Sequence, residues 1–187
     1  MHLKLAHAYW EKHLKLGDLA LDATCGNGKD TLKLAQLVGI EGSIIALDIQ
    51  EEAIAKTQAH LKAHLSPTHY KKIFLFLQSH AELPSIVYKT PPQLIVYNLG
   101  YLPGGDKSRT TLTESTLESL KKSLSVLPKG GMISLTCYPG HAEGEREQKS
   151  LLPLLYQLNS SDWKVESHFP QKERPLSPSL HIVKKFI

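Results

Sequence analysis

Apolar positions along the chain follow two rhythms. Short, almost unbroken apolar runs at 19–21, 43–47, 73–77, 94–97 and 132–137 have the length and the branched-chain content of buried strands. Between them apolar residues recur at three- and four-residue steps. Leu3, Ala6, Trp10 and Leu14 predict an amphipathic helix over about 2–16, packed on a sheet or over a ligand and ended by Gly17-Asp18. Leu32, Ala35 and Val38 carry a second helix from near Asp30 to Gly39, which suits a C-terminal cap. Ala53, Ile54, Thr57 and Leu61 mark one face of a third over 51–65, stopped by Pro67. Leu117, Leu120, Leu124 and Leu127 mark a fourth over 113–127, and a fifth runs from Glu145 to about Leu158. The stretches 163–169 and 180–186 read as a closing antiparallel pair. Seven strands alternating with helices predict an α/β fold with a doubly wound, mostly parallel sheet. With no repeat, linker or low-complexity segment, residues 1–187 are expected to form one domain.

The stretch 19–34 organises the rest. An apolar run ends on Asp22, a short turn with Gly26 and Gly28 follows, and a helix begins near Asp30, with Asp30 or Thr31 as its candidate cap. Glycines let a backbone turn sharply and let a ligand approach its N–H groups. Phosphate is disfavoured here, because Asp22 would repel it and no Gly-Lys-Ser/Thr ending follows. A cationic amine suits the loop better. The next strand ends on Asp48, twenty positions after Gly28, where an acid can accept hydrogen bonds from both hydroxyls of a ribose. S-adenosylmethionine satisfies both ends. A dinucleotide fits less well, since Thr31 stands where the third glycine of Gly-x-Gly-x-x-Gly would be.

Three further loops fall at the same sheet edge. Ser79 or His80, after the third strand, is placed to touch an adenine or to cap a helix. The fourth strand empties into Asn98-Leu99-Gly100-Tyr101-Leu102-Pro103-Gly104-Gly105-Asp106-Lys107, a dense run of special residues. The fifth empties into Tyr138-Pro139-Gly140-His141-Ala142-Glu143-Gly144. Asn98 stands where many amino-methyltransferases place an Asp/Asn-Pro-Pro-aromatic motif, although Leu99-Gly100 replaces the prolines. His60 and His64 have metal-ligand spacing, but without an acidic third ligand the expected reading is a solvated helix face and no metal.

Composition narrows the class. Hydrophobic content of 41% with 21% charged residues describes an ordinary globular protein. No apolar run approaches the roughly 20 residues of a membrane span. Two cysteines, Cys25 and Cys137, make no disulfide framework, so a reducing, cytoplasmic setting is expected. A net charge of +4 permits an RNA partner, through a basic patch assembled by folding.

The motifs at 22–31, 98–107 and 138–144 together resemble the small bacterial family labelled rRNA methylases, within the class I S-adenosylmethionine-dependent methyltransferases. The resemblance spans nearly the whole chain. Lys29 departs from the histidine expected in relatives, and the segment 169–175 lacks the asparagines expected there. The resemblance implies a seven-stranded methyltransferase sheet and methyl transfer to the aminomethyl nitrogen of 5-aminomethyl-2-thiouridine at the tRNA wobble position. Alternatives are an rRNA or small-amine methyltransferase, or a non-catalytic cofactor-binding partner protein. On this reading Asp22, Thr24, Gly26, Asn27, Gly28, Asp30, Thr31, Asp48, Ile49, Ser79, His80 and Asn98 hold the cofactor. Asn98 orients the amine, and Asp106, Tyr138 and His141 are candidates for proton handling or substrate contact. Tyr101 stacks on an extruded uracil, Gly104 and Gly105 shape its loop, and Lys107 and Arg109 hold flanking phosphates. A chain this small implies recognition of an anticodon stem-loop, or a homodimer, to supply the missing tRNA surface.

Overall fold

The computed structural model describes residues 2–102, 104, 110–158, 160–170 and 176–187. Its elements in chain order are α1 (His2–His13), β1 (Leu19–Asp22), α2 (Lys29–Val38), β2 (Ser43–Asp48), α3 (Glu51–His64), α4 (Pro67–Tyr70), β3 (Ile73–Leu77), α5 (Ile86–Lys89), β4 (Leu94–Leu99), α6 (Thr113–Val126), β5 (Met132–Cys137), α7 (Ala142–Leu158), β6 (Trp163–His168) and β7 (Ser179–Lys185). The strands form one sheet in the order β3-β2-β1-β4-β5-β7-β6. Strands β1 to β5 are mutually parallel, and β7 runs antiparallel to both β5 and β6.

The strand pattern explains why both faces must be covered. Successive strand residues point to opposite sides. Ala20, Ile44, Ala46, Leu94, Val96 and Met132 pack with Trp10, Leu34, Val38 and Leu61 of α1, α2 and α3. Their neighbours Leu21, Ile45, Leu47, Ile95, Tyr97, Ile133 and Leu135 pack with Leu120 of α6 and Leu151 and Leu155 of α7. Unbroken apolar runs are what a parallel sheet buried on both faces requires. The tyrosine hydroxyl in this second core is satisfied. The Tyr97 hydroxyl lies 2.6 Å from Ser119 Oγ and 2.7 Å from Ser123 Oγ, and burial pushes its pKa up to about 12.

Several boundaries differ from those read off the sequence. The first helix ends at His13, before the predicted 16, and α7 starts at Ala142, three residues early. Pro67 does follow the end of α3, but it also opens the one-turn helix α4, capped by Ser66 Oγ accepting from His69 N–H at 3.2 Å. Neither Asp30 nor Thr31 caps α2. Gly28 occupies the N-cap with φ 78°, and no side-chain cap bond is made there. Gly39 does close α2, its N–H bonding Ala35 O.

Strand order reverses between β1 and β4, which are paired with Asp22 opposite Val96. In an open α/β sheet the crevice beyond the carboxyl ends at such a switch point is where ligands bind. The loops after β1, β2, β3, β4 and β5 all converge there.

Candidate functional site

A cavity of about 940 Å³ opens at that crevice, at the upper end of the roughly 300–1,000 Å³ of small-molecule sites. All five loops line it, and α1 contributes Leu3. Its floor is set by backbone hydrogen bonds that fold the glycine loop over the sheet: Ala23 N–H to Val96 O and Cys25 N–H to Leu47 O, both 2.9 Å.

Gly28 serves a different purpose from the one the sequence suggested. It does not line the cavity; a Cβ there would stand 2.8 Å from Thr57 Cα on α3. Its bareness lets α3 close against the loop, and Thr57 Oγ1 donates to Gly26 O at 3.0 Å. Gly26, with φ 53°, is the glycine that faces the cavity.

Three carboxylates surround the loop, in three environments. Asp22 is fully buried behind the wall. It accepts from Thr31 Oγ1 at 2.6 Å and from Thr24 N–H at 3.2 Å. Burial first, and then the charges of Asp30 and Asp48, push its pKa up to about 7. Asp22 and Thr31 therefore support the loop from behind rather than facing a ligand. Asp48 lines the cavity with both oxygens oriented, Oδ2 accepting from Gly26 N–H at 3.0 Å and Oδ1 from Gln50 N–H at 2.9 Å. Each carboxylate oxygen carries a second lone pair, so a diol can be received by a group already fixed in direction. Asp30 lines the cavity as well, bridging His7 Nε2 at 2.8 Å and Asn98 Nδ2 at 2.9 Å.

Asn98 is the most tightly placed group. Its backbone N–H donates to Thr24 Oγ1 at 2.8 Å, and its side-chain N–H₂ is spent on Asp30. The Oδ1 that remains is buried and has no hydrogen-bond partner among the described residues. An orphaned buried acceptor costs about 1–3 kcal/mol, which a ligand donor would recover.

The rest of the predicted set divides. Thr24, Asn27, Ile49, Ser79, His80, Tyr101, Tyr138 and His141 line the cavity. Ser79 Oγ accepts from Ala81 N–H at 3.2 Å, so it fixes the turn as well as facing the space. His80 is buried against the Tyr97 ring, and desolvation lowers its pKa to about 4, which keeps it neutral. The Tyr138 phenol has its pKa raised, by burial first and then by the charge of Asp30, so it stays a hydrogen-bond donor. His141 Nδ1 accepts from Gly144 N–H at 3.1 Å, which in the neutral ring leaves the proton on Nε2. That tautomer is also a donor. Its ring lies 5.6 Å from that of Tyr101, whose backbone bridges Thr110 across the neck of the loop. Gly104 is exposed with φ 81° and does not line the cavity. Gly105, Asp106, Lys107 and Arg109 lie outside the described residues.

Sequence reasoning named Leu3 only within a helix packed on a sheet or over a ligand and Lys29 only as a departure from relatives, and it assigned no site role to His7, Gln50, Gln78 or the clamp at the loop's far end. There Glu143 accepts from both the N–H and the hydroxyl of Thr113, and Glu147 accepts from Thr111 and Thr116. The spacing of Glu143 and Glu147, four apart at the start of a helix, was the available signal. No group of three metal-ligating side chains occurs among the described residues, and His60 and His64 face one another on α3.

A family model described as "Putative rRNA methylase" matches residues 44–184. The tRNA (mnm(5)s(2)U34)-methyltransferase of Arabidopsis thaliana chloroplasts is 38% identical over 183 residues. That alignment takes in 95% of this chain and 66% of the relative, so the chain spans about two thirds of that protein's length. Among solved structures, a Clostridium thermocellum protein of the same description as the family superposes with a TM-score of 0.89 at 32% identity, covering 98% of this chain and 97% of that one. A "putative methyltransferase" from Streptococcus mutans, solved in complex with SAH, gives a TM-score of 0.83 at 29% identity, with coverages of 98% and 97%. The seven-stranded α/β sheet with its reversed last strand is thus the class I methyltransferase fold. Matched by the family model over most of its length and aligned almost end to end with two bacterial structures, the chain belongs to the rRNA methylase family.

Proposed function

We propose that this protein is an S-adenosylmethionine-dependent methyltransferase acting on the exocyclic amine of 5-aminomethyl-(2-thio)uridine at the tRNA wobble position. The observation that carries the reading is Asn98. Its Oδ1 is a buried, unpartnered acceptor fixed beside a carboxylate, at the point where the cavity passes from the glycine loop to the aromatic loops. A primary amine supplies the donor that this atom lacks. The identity to the Arabidopsis thaliana enzyme supports the choice of tRNA and of the wobble base.

The chemistry of the pocket fits the cofactor. Asp30 and Asp48 face the cavity with Asp22 behind them, and crowded like charges are relieved by a cation. S-adenosylmethionine supplies an activated methyl group on a positively charged sulfur. Asp48 would take the ribose hydroxyls, Gly26 and Thr24 the aminoacyl end, and Ile49, Gln78, Ser79 and His80 the adenine. The chain's own work is then placement, holding a neutral amine in line with the methyl group in a water-poor site. Tyr101 offers a partly exposed ring for an unstacked base, and His141 and Tyr138 offer donors for its carbonyl edge.

In this reading residues 1–187 form one methyltransferase domain of the cytoplasm. It recognises an anticodon stem-loop, with a second copy of the chain supplying further surface, and Asp106, Lys107 and Arg109 keep their substrate roles. No helix of the described residues is long and apolar enough to cross a membrane. The test is nucleoside mass spectrometry of tRNA bearing 5-aminomethyl-2-thiouridine, incubated with protein and S-adenosylmethionine, with Asn98→Ala in parallel. One added methyl on that nucleoside, lost in the variant, is the expected result. Methylation of rRNA with none on this tRNA would overturn the substrate assignment.

A further inference from the structure

A neutral primary amine has four directions to fill. One is the methylene that ties it to the base, one is the lone pair that must face the activated methyl group, and two are N–H bonds. In a pocket poor in water each N–H calls for an acceptor. Asn98 Oδ1 is one, fixed by the bonds of its residue to Thr24 and Asp30. The second comes from the neighbouring strand. β4 and β5 are paired with Asn98 opposite Thr136 and Leu99 opposite Cys137. Just beyond, a Cβ on Gly100 would stand 3.6 Å from Tyr138 Cβ and 3.8 Å from its Cδ2, so the bare backbone of Gly100 seats the Tyr138 ring. The phenol lines the cavity with Asn98 and Asp30, close enough to Asp30 to feel its charge, and makes no hydrogen bond among the described residues. A neutral hydroxyl both donates and accepts. Its proton can go to the base carbonyl next to the aminomethyl arm, which leaves oxygen lone pairs for the amine.

Resting on the functional reading above, we propose that Tyr138 limits the reaction to a single methyl group, its hydroxyl oxygen accepting the second N–H and closing that direction to a methyl. In the first transfer the amine, its ammonium proton already left with water, points one N–H at Asn98 Oδ1 and the other at Tyr138 Oη. Its lone pair forms the N–C bond as the S–C bond breaks, the electrons of that bond staying on sulfur. The product is a secondary ammonium. For a second transfer that product must lose one proton to water and turn its new lone pair to the same side. The first methyl then has to take the place of one N–H. An N–H···O bond spans about 2.9 Å, so a methyl carbon on that line would stand about 1.5 Å from the oxygen, whereas the closest C–H···O contacts are about 3.3 Å. Both oxygens are held, Asn98 through its backbone and amide and Tyr138 through its seat on Gly100.

Tyr138→Phe keeps the ring on Gly100 and removes the oxygen. With a stem-loop carrying 5-aminomethyl-2-thiouridine and excess S-adenosylmethionine, wild-type protein should stop at one methyl by nucleoside mass spectrometry, and the variant should go on to the dimethylamine. The first transfer should slow by roughly 3- to 10-fold for one lost hydrogen bond, while the second gains on the order of 10²-fold from the removed overlap. A stem-loop already carrying the methylaminomethyl group isolates the second step, and the variant should methylate it where the wild type does not. Tyr138→Leu, which also lacks the oxygen, should behave in the same way, and calorimetric cofactor binding checks that each variant is folded. Folded variants that add one methyl and stop would overturn the proposal, as would a wild type that runs on to the dimethylamine. Loss of both transfers with cofactor binding intact would overturn it in favour of a role for Tyr138 in the first transfer. No methyl on the primary amine with wild-type protein would instead overturn the functional reading on which it rests.

Discussion

Replacing Thr31 with valine removes one hydroxyl while keeping the shape of a side chain that is fully buried. That hydroxyl donates to Asp22 Oδ2 at 2.6 Å. The Asp22 carboxyl, which would ordinarily titrate near 3.8, is raised in the folded protein to about 7, chiefly by burial. The native state therefore holds a proton that the unfolded chain has already released. This contribution to stability is complete below about pH 4 and is lost as pH rises through 7. The Thr31 bond opposes the loss because it favours the anion. Near pH 5.5 the bond joins a hydroxyl to a neutral acid and is worth about 1 kcal/mol; near pH 8.5 it joins a hydroxyl to a carboxylate and is worth about 1.5–3 kcal/mol. Urea unfolding of Thr31→Val against wild type should thus show the larger loss at the higher pH, by about 0.5–2 kcal/mol, with the m-value unchanged. In thermal unfolding, each kcal/mol corresponds to roughly 2–4 °C for a chain of this size. Equal losses at the two pH values would mean that Asp22 does not titrate between them, and would refute the account of the acid behind the loop.

Gly28→Ala places a Cβ 2.8 Å from Thr57 Cα in a residue with positive φ, so chemical denaturation should show a loss of at least about 2 kcal/mol, with cofactor affinity falling as the loop shifts. Tyr97→Phe should cost about 1–2 kcal/mol in the same assay, because Ser119 and Ser123 lose a shared partner, and calorimetric cofactor affinity should not change. Glu147→Gln keeps the shape of a buried side chain whose pKa is raised by burial and keeps one acceptor for Thr116 and Thr111. It should preserve stability within about 1 kcal/mol, whereas Glu147→Ala should lose about 2 kcal/mol or more and raise KM for RNA by freeing the end of the 100–112 loop.

How much of this was legible in the sequence depended on the range of the forces involved. The strands of the parallel sheet are buried on both faces, so each announces itself as an apolar run, and strand ends such as Asp22, Asp48 and Asn98 could be placed at one sheet edge. Helices α4 and α5 are single turns, too short for any periodicity to emerge. The reading of Asp22 as a ligand-facing acid failed for a related reason. Strand position fixes the height of a side chain above the sheet, but only the arrival of Thr31 and Thr24 determines that the carboxylate is enclosed. His7 lies on the polar side of a helix whose apolar stripe was all the pattern revealed, and its partner is supplied by a different helix. Gly28 was singled out correctly as special but for the wrong neighbour, since the close approach is made by α3.

The docking of α1 has a consequence for the order in which the chain becomes competent during synthesis. The segment is synthesised well before β6 and β7, yet Ala6 and Trp10 pack in the core that contains Leu180 and Ile182 of β7, and Tyr9 hydrogen-bonds Glu166 and His168 of β6. Part of its seat is therefore made long after the helix itself. Until β7 is translated, Leu3 cannot roof the cavity and His7 has no fixed place beside Asp30, so a nascent chain with its glycine loop already folded would still hold an open, unfinished pocket.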